Sequence, residues 1–168
     1  MNRALFLDRD GVINIDYGYV HKIENFHFRR GIFDICRVAA EARMKIIVVT
    51  NQAGIARGLY AKDDFEAVTK FMKSVFAEMK LQILGTYFCP FHPTQGKGVF
   101  KKQSYDRKPN PGMFLRASLE HDINLFHSVM IGDSDADKQA AFRCGIRWYV
   151  DSTHSDWVAR SIRAIRGF

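Results

Sequence analysis

The sequence lacks the features that would mark a membrane, secreted or disordered protein. No apolar run in its 168 residues approaches the roughly 20 that cross a bilayer, so we expect no membrane span. The three cysteines form no paired disulfide framework, which predicts a reducing compartment. Asp8 and Asp10 interrupt the apolar stretch near the N-terminus, so we expect no signal peptide and a cytoplasmic location. No repeat, low-complexity segment or linker divides the chain, which predicts a single domain over residues 1–168.

What is present is a globular composition with a basic excess. Hydrophobic residues make up 47% of the chain and charged residues 26%, which excludes a disordered protein. The 25 Lys and Arg outnumber the 18 Asp and Glu, and the net charge of +7 suits an anionic ligand. The charge does not distinguish a phosphorylated metabolite from nucleic acid.

Apolar runs alternate with segments of helical periodicity, which predicts a parallel sheet covered by helices. One long segment, residues 89–111, fits neither pattern, and a loop of this length in a compact domain usually has a function. Strands are predicted over residues 4–7, 46–49, 86–88, 128–131 and 147–150. Helices are predicted over residues 32–42, from Lys62, from Pro111, over residues 135–144 before Gly145, and after a cap at Ser155.

The most informative motif is Asp8-Arg9-Asp10-Gly11, which follows the first predicted strand directly. Open α/β sheets bind their ligands at the carboxyl ends of strands, where both carboxylates are expected to lie. One can act as a nucleophile and contact a hard cation, while the second exchanges a proton with the reacting group. Taken alone, the motif also fits an ordinary turn, because Asp and Gly are common turn residues.

Three further motifs stand at a predicted strand end or helix start. Thr50 and Asn51 follow the second strand, where they can donate hydrogen bonds to a phosphate oxygen or simply cap a helix. Arg107 and Lys108 precede a helix, where a cation can neutralise a transferring phosphoryl group. Asp133 begins a run of clustered carboxylates that can complete an oxygen-rich Mg²⁺ site.

Taken together and in this order, the four motifs resemble the haloacid dehalogenase (HAD) superfamily of phosphotransferases over nearly the whole chain. Within that superfamily, the sequence is similar to a branch of heptose 1,7-bisphosphate 7-phosphatases and histidinol phosphatases, and the long matches favour the former. The matching stretches are residues 8–14 (DRDGVIN), 16–21 (DYGYVH), 50–58 (TNQAGIARG) and 107–113 (RKPNPGM). The resemblance implies a Rossmann-like α/β fold with helices on both faces of the sheet and a minimal cap built only from loops.

The resemblance also implies a role for each matching residue. Asp8 would attack phosphorus, and Asp10 would protonate the leaving oxygen and then activate water. Asp8, the backbone carbonyl of Asp10 and Asp133 would hold Mg²⁺. The other implied contacts are Thr50, Asn51 and Lys108 with the transferring phosphoryl group, and Asp16, Tyr17, Gly18, Tyr19, Gln52, Ala53 and Arg107 with the sugar and its second phosphate.

One departure from the family concerns a zinc loop of the form Cys-x-His followed by Cys-x-Cys. This chain retains Cys89, but Phe91 takes the histidine position. Ser104 and Asp106 replace the two later cysteines, and the adjacent His92 leaves the tetrahedral set incomplete at best. We therefore expect no structural zinc.

A second departure is Ser134, which stands where the heptose phosphatases usually have lysine after the metal-binding aspartate. The loss of this cation leaves the charge balance of the site, and with it the substrate preference, open.

The residues and the resemblance together imply a Mg²⁺-dependent phosphatase that works through an aspartyl-phosphate. The expected substrate is the 7-phosphate of D-glycero-D-manno-heptose 1,7-bisphosphate, a precursor of bacterial surface polysaccharide. Alternatives are a histidinol-phosphate phosphatase, a nucleic-acid 3′-phosphatase, and a phosphate-binding scaffold on a degenerate fold. The chain shows no stacking platform of aromatic and basic residues, so we expect no nucleic-acid partner and a monomer that binds a small phosphorylated sugar.

Overall fold

The computed structural model describes residues 1–167 and contains one parallel sheet between two layers of helices. The strands lie in the order β3-β2-β1-β4-β5. All five predicted strands are confirmed, although β2 and β3 begin earlier and end later than predicted. Gly85 and Thr86 interrupt the apolar pattern of β3 because this strand lies at the sheet edge, where its side chains are half-buried. The strands are β1 (Ala4–Leu7), β2 (Lys45–Asn51), β3 (Ile83–Cys89), β4 (Val129–Gly132) and β5 (Trp148–Asp151).

The helices follow the predicted order with two differences. A short helix directly after β2 was not predicted, because five residues are too few to show helical periodicity. The predicted cap at Ser155 is wrong: the last helix begins at Trp157, and its N-cap is Asp156, whose side chain makes no capping hydrogen bond. The helices are α1 (Ile32–Glu41), α2 (Ala53–Arg57), α3 (Lys62–Glu78), α4 (Gly112–His121), α5 (Asp135–Arg143) and α6 (Trp157–Arg166).

A turn follows β5, and α6 begins only after it, at Trp157. The Asp151 carboxylate accepts hydrogen bonds from the backbone N–H and the hydroxyl of Thr153, at 2.8 and 2.7 Å. This local bonding offers the backbone an alternative to helix, and the chain becomes helical only where Trp157 is buried.

Two hydrophobic cores lie on opposite faces of the sheet because side chains alternate along each strand. Leu5 and Leu7 of β1 join the core beneath α1, α3 and α6. Ala4 and Phe6 point the other way, into the core beneath α4 and α5. Burying each large apolar side chain stabilises the fold by about 1.5–3 kcal/mol, so both faces of the sheet must be covered.

The carboxyl ends of β2, β1 and β4 meet at one edge of the sheet. The register pairs Leu7 with Val48 on one side and with Ile131 on the other, and Asp8 N donates to Ile131 O at 3.0 Å. In the described part of the chain, residues 8–31 and 90–111 contain no helix beyond short 3₁₀ turns, at Ile23–Asn25 and Gly98–Phe100. The expected loop-only cap is therefore confirmed. None of the helices within residues 1–167 is long and apolar enough to span a bilayer.

Candidate active site

Asp8 lies directly beyond the end of β1, where it is almost fully buried. Its Oδ1 accepts a hydrogen bond from the backbone N–H of Arg9 at 2.7 Å and lies 3.0 Å from the Lys108 ammonium. These contacts hold one carboxylate oxygen and leave the other available to a substrate.

Lys108 reaches the same point from the loop before α4. Its ammonium donates to the Val49 carbonyl at 2.9 Å and pairs with Asp137 at 2.5 Å. Burial opposes the charge, but the two adjacent carboxylates outweigh burial and raise the pKa of Lys108. Asn51 fixes the loop, because its side chain bonds both the backbone N–H and the carbonyl of Lys108 at 3.0 Å.

Three carboxylates converge around this cation. Each of Asp8, Asp133 and Asp137 offers an oxygen, and the three oxygens lie within 4.8 Å of one another. Burial is the main cause that raises the pKa of Asp8 to about 8 and that of Asp133 to about 6, with the neighbouring carboxylates adding to both. The single ammonium of Lys108 opposes these shifts without cancelling them. The cluster therefore carries an excess of negative charge that a divalent cation would relieve.

The side chain of Asp10 points into a cradle of hydrogen-bond donors. Arg9 donates to both carboxylate oxygens through Nε and Nη2, each at 3.0 Å. Asn14 adds a bond to Oδ1 at 3.0 Å and Gln52 adds one to Oδ2 at 3.1 Å. The Arg9 side chain is itself fully buried, between the rings of Phe26 and Phe65. All four bonds come from donors, and together they engage both oxygens of the Asp10 carboxyl group.

A cavity of about 380 Å³ opens beside Asp10. Most predicted sugar-facing residues line it, but Tyr17 and Arg107 do not. Tyr17 lies edge-on to His27, with ring centroids 5.6 Å apart, and Arg107 donates to the Phe91 carbonyl at 3.2 Å. The lining residues are Asp10, Asp16, Gly18, Tyr19, Asn51, Gln52, Ala53 and Tyr60.

The polar residues at and just after the end of β2 are more deeply buried than their predicted roles require. Thr50 and Gln52 are each 1% exposed, and the Gln52 amide donates to Thr50 Oγ1 at 2.9 Å. Contact of their side chains with phosphate or sugar stays a prediction, while their contacts with each other and with Asp10 are part of the site.

Gly11 allows the Asp8–Asp10 loop to turn against Asp133. Its φ is +81°, and a Cβ there would lie 2.0 Å from an Asp133 carboxylate oxygen. Its carbonyl accepts bonds from the Arg29 guanidinium and from Ser152 Oγ, the latter at 2.8 Å. The loop that carries both predicted catalytic carboxylates is therefore pinned from two directions.

Sequence reasoning included Asp137 only as one of the clustered carboxylates after the fourth predicted strand, and it assigned no role to Tyr60 or Arg29. A signal for Asp137 exists, because Ser134 and Asp137 form a capping box at the start of α5. Ser134, which replaces the usual lysine, caps the helix and donates to Asp137 at 2.6 Å. Arg29 contacts residues far along the chain and Tyr60 contacts Gln52 across α2 and the turn after it, and neither contact follows from a helical or strand periodicity.

The residues at the positions of the family's zinc loop, in which we expect no zinc, have other partners. Cys89 Sγ lies 3.8 Å from the Phe91 carbonyl, and Asp106 pairs with Arg116 at 2.7 Å. His92 Nδ1 accepts the backbone N–H of Gln95 at 3.0 Å. Within residues 1–167, clustered potential ligands occur at Asp8, Asp133 and Asp137 and not around Cys89. The absence of zinc stays a prediction.

The amino-acid sequence of this chain is similar to those of known phosphatases. A family model described as HAD-hydrolase-like matches residues 105–150. A D-glycero-alpha-D-manno-heptose-1,7-bisphosphate 7-phosphatase from Burkholderia mallei is 52% identical over 145 residues, which are 86% of this chain and 77% of that protein. A D-glycero-beta-D-manno-heptose-1,7-bisphosphate 7-phosphatase from Yersinia pestis is 43% identical over 143 residues, 85% of this chain and 76% of that protein.

Two solved structures extend the likeness to three dimensions. The D,D-heptose 1,7-bisphosphate phosphatase from B. bronchiseptica, complexed with magnesium and phosphate, is 30% identical with a TM-score of 0.75. The match covers 85% of this chain and 76% of that chain. A HAD-like phosphatase from Mesorhizobium loti is 31% identical with a TM-score of 0.87, covering 99% of this chain and 87% of that chain.

Proposed function

Because this chain belongs to the heptose-1,7-bisphosphate 7-phosphatase family of HAD-like hydrolases, and is thus a phosphoric monoester hydrolase, we propose that it releases the 7-phosphate of D-glycero-D-manno-heptose 1,7-bisphosphate. One observation supports this most strongly. Asp8 lies at the carboxyl end of the central strand, beside a buried cation, with a second, donor-held carboxylate two residues away.

Asp8 is the proposed nucleophile. Its Oδ1 is held by Arg9 N and Lys108, so Oδ2 is the oxygen that attacks phosphorus and forms the aspartyl-phosphate. Lys108, with Thr50 and Asn51, binds the transferring phosphoryl group and offsets its charge.

Asp10 is the proposed acid and base. In the first step it protonates the sugar oxygen that leaves phosphorus, and in the second it removes a proton from the water that attacks the aspartyl-phosphate. The fixed cradle of Arg9, Asn14 and Gln52 limits where the Asp10 carboxylate can lie, and this supports a single geometry for both transfers.

The donor set fits Mg²⁺. The clustered side chains offer carboxylate oxygens without nitrogen or sulfur, as this hard cation prefers, and their excess charge favours a divalent ion. We propose Asp8, the Asp10 carbonyl and Asp133 as its ligands, with Asp137 holding Lys108 beside them. When bound, Mg²⁺ supplies neutralisation of the charge on the phosphoryl group and on Asp8.

The cavity beside Asp10 is the proposed sugar site. Its polar wall includes Asp16 and the backbone around Gly18 and Ala53, which suits the hydroxyl groups of a heptose. Tyr17, Tyr19 and Arg107 are proposed to contact the sugar or its second phosphate from the rim, Arg107 through the guanidinium nitrogens not bonded to Phe91.

The proposed substrate is tested by phosphate release. The purified protein is assayed with both anomers of the heptose bisphosphate, histidinol phosphate and a 3′-phosphorylated oligonucleotide. We expect one phosphate per bisphosphate, lost from carbon 7, with kcat/KM highest for one of the two anomers. Higher kcat/KM for histidinol phosphate or the oligonucleotide would overturn the proposal.

The same assay tests the catalytic residues and the metal. Asp8→Asn should lower kcat by on the order of 10³-fold or more, because an amide is a poor nucleophile. EDTA should abolish turnover and excess Mg²⁺ should restore it. Activity close to the unmodified protein in either experiment would contradict the proposed mechanism.

A further inference from the structure

We propose that Tyr60, which lies between α2 and α3, is a positioning residue that orients Asp10 through the amide of Gln52. The inference rests on the proposed role of Asp10 as the acid that protonates the leaving oxygen. Tyr60 belongs to none of the stretches that match the family motifs, and no role was predicted for it from the sequence.

A chain of hydrogen bonds connects the two residues. The Tyr60 hydroxyl donates to Gln52 Oε1 at 2.5 Å, and Gln52 Nε2 donates to Asp10 Oδ2 at 3.1 Å. An amide has distinct acceptor and donor ends, so a donor held at Oε1 forces the NH₂ group toward Asp10. Without the hydroxyl, Gln52 can rotate and place its carbonyl oxygen against the carboxylate, which repels it.

The Tyr60 hydroxyl is a dependable donor. Its ring is 8% exposed, and burial is the main cause that raises its pKa to about 12. The phenol therefore keeps its proton throughout the neutral range. Gln52 is buried as well, which makes the direction of each bond costly to reverse, because an unpaired polar atom would result.

Two neighbours fix the tyrosine ring. A Cβ on Gly54 would lie 2.0 Å from Tyr60 Cε1, so the glycine is what lets the ring pack against the backbone of α2. On the other side, the His21 ring stacks on Tyr60 with centroids 4.9 Å apart and planes 6° apart. His21 Nδ1 lies 2.7 Å from the Tyr19 carbonyl, so the same clamp contacts the loop that lines the sugar cavity.

The placement of an acid matters because proton transfer needs a hydrogen bond of correct length and direction to the leaving oxygen. Arg9 and Asn14 hold Asp10 from the side of its own loop, and Gln52 is the contact that comes from the segment joining β2 to α2. Loss of that contact leaves the carboxylate held from one side. We expect poorer proton transfer without a loss of substrate binding.

The test compares Tyr60→Phe with the unmodified protein on three substrates. The first is the heptose bisphosphate, and the second is a simple alkyl phosphate, which has no sugar but whose alkoxide also needs a proton to leave. The third is 4-nitrophenyl phosphate, whose phenolate leaves without one. A general acid contributes roughly 10²–10⁴-fold, and we expect the variant to lower kcat/KM about 10-fold on the first two substrates and less than about 2-fold on the third.

Each other pattern overturns the inference. A loss confined to the heptose bisphosphate, with a raised KM, would make Tyr60 a sugar contact. An equal loss on all three substrates, or none, would leave it a structural residue. If the unmodified protein cleaves the alkyl and aryl phosphates but no heptose bisphosphate, the proposed function fails while the comparison of the other two substrates still decides the role of Tyr60.

Two further experiments distinguish an effect of Tyr60 that passes through the Gln52 amide from a general loss of stability. In a Gln52→Met background, Tyr60→Phe should have little further effect on alkyl phosphate, because the hydroxyl acts through the amide. Additive losses would contradict this route. Tyr87→Phe is the matched control. It removes the hydroxyl of another buried tyrosine, on edge strand β3, whose partner is Glu120 at 2.5 Å and not a residue of the Asp10 cradle. The ratios of kcat/KM between the three substrates should change less than 2-fold in this variant. A change of ~2-fold corresponds to well under 1 kcal/mol in activation free energy.

Discussion

The Lys108 ammonium lies within 3.0 Å of oxygens from Asp8, Asp137 and Val49, and its side chain is 2% exposed. An ion so placed has exchanged its water for protein oxygens. The same oxygens would be left facing one another if the charge were removed, because two of them belong to buried carboxylates. Lys108 therefore contributes to the stability of the fold as well as to phosphate binding.

Replacing Lys108 with methionine should destabilise the metal-free protein by about 3–5 kcal/mol, the usual cost of removing one partner from a buried ion pair. Urea denaturation in EDTA measures the free energy of unfolding. Arg160→Met is the control, since Arg160 pairs with Asp156 at the surface and such a pair is worth about 1 kcal/mol or less. Equal losses for the two variants would show that the buried ammonium does not stabilise the fold.

The loop after β1 depends on a close approach that one side chain would prevent. A methyl group on Gly11 would overlap the Asp133 carboxylate, and the backbone there has a φ of +81°. Gly145 has a similar conformation after α5, with φ +94°, but a Cβ there would meet nothing within 4 Å. An alanine at either glycine strains the backbone, but only an alanine at Gly11 also clashes with a side chain. Comparing the two substitutions therefore separates the effect of the backbone conformation from that of the clash with Asp133.

Gly11→Ala should lower kcat by on the order of 10²-fold or more, because it displaces Asp133 from the carboxylate cluster. Gly145→Ala should keep full activity and lose about 1–2 kcal/mol of stability from its left-handed backbone. Steady-state kinetics with urea denaturation of both variants checks this. Unimpaired turnover in Gly11→Ala would mean that Asp133 is not needed where the structure places it.

The loop between β3 and α4 is held by contacts that need no metal. Phe91 packs against Phe100, with centroids 6.0 Å apart, and Lys102 Nζ lies 4.1 Å from the centroid of the Phe91 ring. Arg107 closes the loop by donating to the Phe91 carbonyl. These contacts hold the loop through side chains other than those of Cys89 and His92.

We therefore expect protein purified without chelators to contain less than stoichiometric zinc. Elemental analysis gives the metal content, and limited proteolysis after chelation reports the order of residues 89–106. One zinc per chain, lost together with protease resistance in Cys89→Ser, would contradict the prediction.

The carboxylate cluster makes the stability of the metal-free protein depend on pH. The pKa values of Asp8 and Asp133 rise from 3.8 in the unfolded chain to about 8 and about 6 in the folded one. The folded state thus binds more protons than the unfolded state between pH 4 and 8, and its stability falls as pH rises through that range. Desolvation and the nearby Arg107 and Arg57 guanidinium groups lower the pKa of His92, which opposes this trend weakly.

In EDTA, the melting temperature should be lower at pH 8 than at pH 5, by roughly 2–4 °C for each kcal/mol of lost stability. Asp8→Asn should remove most of this difference, because an amide does not titrate. Mg²⁺ should raise the melting temperature more at pH 8, where its carboxylate ligands are ionised. Scanning calorimetry tests all three statements, and a metal-free protein that is more stable at pH 8 would contradict them.

The sequence alone predicted the parallel sheet, the placement of Asp8, Asp10, Thr50 and Asp133 at its carboxyl edge, and the position of Lys108 just before a helix. The strand-end positions follow from a local pattern: a short apolar run predicts a buried strand, and the polar residues that follow it lie at the sheet edge. The family relationship followed from the same short stretches. The monomeric state and the cytoplasmic location stay predictions.

The tertiary structure decided how these groups are held. Asp137 reaches Lys108, Arg29 reaches Gly11, and Tyr60 reaches Asp10 through Gln52 only after the helices and loops pack. The start of α6 was misjudged for a related reason, since the burial of Trp157 outweighs the local preference of Ser155 for a helix cap. Local propensities are worth about 1 kcal/mol or less per residue, whereas burial and paired charges are worth several, so packing prevails wherever the two disagree.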